Sequence, residues 1–142
     1  MAFTGGCLCG KVRYEIERKF LNATHCHCTM CQRAHGGAYS THFVFRADQI
    51  TWLAGRDSLV AYESSPDAFR EFCPTCGSQI LIYGQTGDDT LAIPAGTLDG
   101  DPPITERGHI FVDTELSWAQ TDDEQPRYVG WPPGVGKSCT VL

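Results

Sequence analysis

Three cysteines fall inside the stretch HCHCTMC, at Cys26, Cys28 and Cys31, and thiols at such spacing are metal ligands or redox partners. Three is an awkward number. A disulfide uses two thiols and a closed all-thiolate zinc site uses four. The triplet therefore borrows a fourth ligand or leaves a coordination position open. His35 lies four residues after Cys31 and could close a Cys3His site from the same face of a short helix. His25 and His27 are nearer alternatives, although a residue next to a ligand usually points away from it.

Two further pairs share out the remaining ligands. GCLCG contributes Cys7 and Cys9, and FCPTCGS contributes Cys73 and Cys76. In the second pair Pro74 sets the φ of a tight turn and Gly77 permits a left-handed exit, so backbone amides can point at sulfur. In a C-x-C the extended backbone puts both thiols on one side of the chain. With each cluster kept intact, a closed four-thiolate site arises only by joining Cys7 and Cys9 to Cys73 and Cys76. Such a site clips the N-terminal segment to the middle of the chain and turns metal affinity into folding free energy. A redox role for the C-x-x-C remains the minor alternative, and Cys139 reads as a bystander.

These thiols need rigid supports. The chain has 142 residues, enough for a single domain over 1–142 with its own core. Composition is ordinary apart from eight cysteines and fifteen glycines, which indicate many turns around sulfur chemistry. KVRYEIE alternates polar residues with Val12, Tyr14 and Ile16, as a half-buried strand does. STHFVFR, QITWLAG, SLVAYES, FREFC, SQILIYG, TLAIPAGTL and GHIFVD carry the same β-branched and aromatic signature. Helix is expected only around Met30 to His35 and Arg46 to Gln49. The prediction is a mainly β domain of two sheets, with an irregular tail over about 119–142.

A net charge of −6 argues against a nonspecific nucleic-acid binder. No apolar run is long enough to span a membrane, and MAFTGGCLCG does not read as a signal peptide. A cytoplasmic location is expected, where spaced cysteines are metal ligands more often than disulfides.

GGCLCGKVRYE, CHCTMCQRAHGG, FCPTCGSQI and GHIFVD, in this order, resemble the glutathione-dependent formaldehyde-activating enzyme (GFA) family, which includes centromere-protein-V-like proteins. The resemblance covers about residues 3–115. It implies an Mss4-like zinc-binding β-sheet fold with few short helices and two zinc ions per chain. Cys7, Cys9, Cys73 and Cys76 would hold a structural zinc. Cys26, Cys28 and Cys31 would hold a second, more labile zinc whose fourth position takes solvent or a substrate thiol.

The implied activity is that of a carbon–sulfur lyase or synthase acting on a thiol–aldehyde adduct such as S-hydroxymethylglutathione, made from glutathione and formaldehyde. Three thiolates leave the ion a weak Lewis acid, better suited to holding an external thiol than to acidifying water. Arg33 and Gln32, just after Cys31, are candidates to hold an oxyanion or carboxylate, with a solvated Arg33 as the alternative. His42 reads as a strand residue satisfied locally, or as a general acid. HGG reads as a turn, and Trp52, Trp118 and Trp131 as packing residues. Because glutathione is an anion, a local positive patch is required, and the scattered Lys and Arg residues do not reveal one. The competing reading is a noncatalytic, zinc-stabilised binding module of the same fold.

Overall fold

Strand alternation decides most of the architecture. In a computed structural model describing residues 2–19, 22–84, 89–103 and 108–133, β1 (Ala2–Gly6) pairs antiparallel with β2 (Arg13–Glu17). β2 buries Tyr14 and Ile16 on one side and pairs with β5 (Ile50–Ala54) to complete a three-stranded sheet. A larger sheet contains β3 (Asn22–Cys26), β4 (Ser40–Arg46), β6 (Val60–Ser65), β7 (Ala68–Phe72), β8 (Gln79–Gly84), β9 (Thr90–Pro94) and β10 (His109–Ile110). Its order is β10-β3-β4-β9-β8-β7-β6, antiparallel except for the parallel pairing of β10 with β3. Among the described residues the one α-helix is α1 (Thr29–His35), between β3 and β4. The protein is mainly β, as its sequence predicts.

Two predicted elements are shorter than their sequence signals. TLAIPAGTL is strand only to Pro94 and then forms a 3-10 turn at Ala95–Thr97. GHIFVD keeps two strand residues, because Phe111 adopts a left-handed conformation (φ 55°) and starts another turn. The tail is irregular through residue 133, with a bridge between His109 and Arg127. Cys139 lies outside the described residues.

The two faces of the large sheet have different tasks. On one face Ala23, Phe43, Ile80, Leu81 and Ile93 pack with Phe3, Val12, Tyr14 and Ile16 of the small-sheet layer as the main core, which includes Cys7 and Cys73. On the other face the register aligns Arg70, Ile82, Ala92 and Val44 across four neighbouring strands, with Thr24 opposite His42. Hydrophobic burial favours both layers; the second face carries the buried Arg70 and His42.

The junction between Lys11 and β5 has no spare room. Gly55 sits at φ +75°, and a Cβ there would lie 2.2 Å from the Lys11 carbonyl oxygen. Gly55→Ala is expected to destabilise the fold by about 1–3 kcal/mol. A lowered urea midpoint with unchanged metal content would verify this. No helix among the described residues is long and apolar enough to cross a membrane.

Candidate functional site

The turn after β1 and the knuckle after β7 bring Cys7, Cys9, Cys73 and Cys76 together, all four sulfurs within 4.8 Å of one another. The Cys7–Cys9 and Cys9–Cys73 separations are 3.5 and 3.8 Å. A tetrahedron with zinc–sulfur bonds of about 2.3 Å needs sulfurs about 3.8 Å apart, so this donor set fits zinc. The knuckle is built as its residues predict. Gly77 has φ +81° and donates its amide to the Cys73 carbonyl, and the Cys73 amide returns to Ser78. Sulfur charge is supported locally: the Val12 amide donates to Cys7 Sγ at 3.3 Å, and Ser78 holds the Cys76 thiol down at about 5.

Cys26 ends β3, Cys28 caps α1 and Cys31 lies one turn into it, all three buried. Their sulfurs also lie within 4.8 Å of one another. The Cys31 amide donates to Cys28 Sγ at 3.3 Å, so one sulfur is at once helix cap and candidate ligand. Hydrogen bonds from Cys26 and Cys31 pull the Cys28 thiol far below its ordinary range, while contact with Cys28 and Cys31 drives Cys26 up. Three thiols so crowded cannot all ionise without a cation, which is the property of a metal cradle. The described cysteines form no disulfide.

The triplet lines a cavity of about 40 Å³ with Thr24, His42, Val44, Arg70, Ile82, Ala92, Ile110 and Trp131. A wider cavity of about 360 Å³, lined by Met30, Arg33, Ala34, Tyr62, Ser64, Arg70, Phe72 and Gln79, shares Arg70 with it. Arg70 is 3% exposed and its Nη2 lies 3.6 Å from Cys31 Sγ. Arg33 is exposed on the rim of the wider cavity. Arg33 and Arg70 thus put two cationic side chains on the wall of the wider cavity.

Other residues are used differently from the sequence reading. Gln32 is no oxyanion donor here, because its side-chain amide donates to the backbone carbonyls of His27 (2.8 Å) and Thr114 (2.9 Å). His25 and His27 turn away from the triplet, as neighbours of ligands do. His27 Nε2 shares a proton with His109 Nδ1 at 2.7 Å, and His109 Nε2 reaches Asp123 at 2.9 Å. His42 is buried against Ser40 Oγ at 3.0 Å, and burial pushes it down to about 3. Burial likewise pushes His35 down to about 4, with Arg70 adding to the effect. HGG is a turn, with Gly36 closing the helix.

Trp52 packs on the core and Trp118 is exposed, whereas Trp131 lines the triplet cavity. The sequence does not reveal that Arg70 and Trp131 line the triplet cavity, or that His109 and Asp123 extend the hydrogen bonding of His27. The one available signal was a charged residue at an inward position of FREFC.

The chain is 24% identical over 111 residues to a Schizosaccharomyces pombe protein named as an uncharacterized lyase, covering 78% of this chain and 79% of the relative. The crystal structure of a Rhodobacter sphaeroides protein superposes with a TM-score of 0.58 at 25% identity, covering 70% of this chain and 91% of that one. The family model described as glutathione-dependent formaldehyde-activating enzyme matches residues 2–114. That span takes in both groups of clustered sulfurs, and the chain belongs to the glutathione-dependent formaldehyde-activating enzyme (GFA) family.

Proposed function

We propose that this protein is a zinc-dependent carbon–sulfur lyase or synthase of the GFA type, acting on a thiol–aldehyde adduct such as S-hydroxymethylglutathione. Cys7, Cys9, Cys73 and Cys76 hold a structural ion, and Cys26, Cys28 and Cys31 hold a second, open one. The observation that carries the reading is the odd set of three buried thiols on a cavity wall, with no fourth cysteine beside them among the described residues. Zinc held by Cys26, Cys28 and Cys31 would favour the nucleophilic thiolate form of an external thiol.

The chain's own residues do the rest. In the synthetic direction a carbon–sulfur bond forms at formaldehyde, the carbonyl electrons move to oxygen, and the proton lost by the thiol ends on that oxygen. Arg70, beside Cys31, offsets the negative charge of the thiolates and faces the oxygen that gains charge. Arg33, on the rim of the wider cavity, takes a carboxylate of the thiol substrate. Val44, Ile82, Ala92, Ile110 and Trp131 limit water at the reacting atoms. The seven cysteines among the described residues are all unpaired, which suits a reducing compartment and supports a cytoplasmic setting.

Arg70→Met is expected to lower kcat/KM by about ten- to a hundredfold, the effect of losing a charge-assisted contact of about 1.5–3 kcal/mol. Arg33→Ala should raise KM several-fold and leave kcat in place, since an exposed charge contributes little. Steady-state kinetics of the two variants separate these roles. The reading itself is tested by exchange NMR of glutathione, formaldehyde and their adduct with zinc-loaded protein, alongside a panel of other small thiols. Faster interconversion for at least one thiol supports it. Protein that carries both ions and accelerates none of them would refute it.

A further inference from the structure

A second donor set adjoins the triplet. Cys31, His35 and His42 each offer a ligand atom, and the three lie within 4.8 Å of one another. We propose that Cys31, His35 and His42 form an additional cation site, which takes a thiophilic divalent ion such as zinc and shares the Cys31 sulfur with the three-cysteine site. This goes beyond the lyase reading, because neither imidazole has a part in that chemistry.

Local structure brings the donors together from two elements. Cys31 and His35 are four residues apart on α1 and so share one helix face. The helix stops at Gly36, immediately after His35. His42 comes from β4 on the sheet face beneath, and its ring centroid lies 5.3 Å from that of His35 with the planes at 63°. Ser40 Oγ bonds His42 Nε2 and fixes that ring, the usual arrangement behind a ligating histidine.

The second observation is a missing partner. His35 Nε2 is buried and hydrogen-bonded to nothing. Leaving such a group unsatisfied is costly unless something else satisfies it. His27 Nδ1 is likewise unpartnered, so the missing bond gains meaning at His35 from its place beside Cys31 and His42. The histidine set overlaps the triplet only at Cys31, so it does not close the triplet in the way a Cys3His site would.

Electrostatics ranks the sites. Two dications would share three thiolates, with the Arg70 cation alongside. The additional ion must therefore bind more weakly than the other two and fill last.

The test is equilibrium dialysis of the full chain against buffered free zinc, with metal per chain measured by elemental analysis and X-ray absorption at the zinc edge. Wild type is expected to saturate at three ions, the third adding nitrogen neighbours to a sulfur-dominated spectrum. His35→Ala and His42→Gln should each saturate at two. The first alters a half-buried helix end and the second conserves volume inside the sheet, so a folding defect in one leaves the other to decide. Wild type that stops at two ions overturns the proposal alone. A third ion that survives both substitutions is bound elsewhere and overturns it as well. Saturation at one ion overturns it together with the open-site reading.

Discussion

Cys73→Ser is expected to leave a chain that does not fold. Cys73 is fully buried within the main core cluster, and its sulfur approaches Cys9 across 64 residues of sequence. A structural zinc site contributes on the order of 10–16 kcal/mol to folding, against a total stability of about 5–15 kcal/mol for a domain. Removing one of four ligands forfeits most of that term and leaves a polar hydroxyl in an apolar core. Soluble yield should collapse, and any protein recovered should lack sheet signal in circular dichroism. A strong chelator should do the same to the wild type. A Cys73→Ser variant with native spectrum and unfolding midpoint would show that the four-sulfur cluster does not hold the fold.

Cys28→Ser should do the opposite. Activity is expected to fall to background and zinc per chain to drop by one, with the fold kept. The substitution is well matched to this purpose because Cys28 is the cap of α1, accepting the Cys31 amide. Serine is among the best residues at a helix cap, so the local cost stays within about 1 kcal/mol. What changes is the donor: an alkanol oxygen is a poor zinc ligand beside two thiolates. Elemental analysis, circular dichroism and exchange NMR on one preparation separate the effects. If Cys28→Ser unfolds as Cys73→Ser does, the division of labour between the two cysteine groups is wrong.

Much of this was legible in the sequence because it depends on local rules. RYEIE and STHFVFR announce their strands by alternation, and the pairing of Cys7 and Cys9 with Cys73 and Cys76 follows from counting ligands. AFTGG and NATHC carry no strand signature in sequence. The first carries two glycines and the second is short and polar, so each depends on partners far along the chain: β2 for one, β4 and β10 for the other. Arg70 reaches the triplet only because the register places it in line with Ile82, Ala92 and Val44. No window of sequence around FREFC contains that information. Gln32 illustrates the converse, since proximity to Cys31 suggested a donor to substrate while Thr114, far along the chain, had already claimed its amide.

The position of Trp131 has a consequence for how relatives diverge. The matched span ends at residue 114, yet the indole stands on the wall of the triplet cavity and against Phe111. One wall of the sulfur-lined cavity, the indole of Trp131, thus lies outside the matched span, while the sulfurs and the rest of the lining lie inside it. Exchanging the segment around Trp131 between homologues should therefore retune which aldehyde or thiol the proposed site accepts while both groups of clustered sulfurs stay in place.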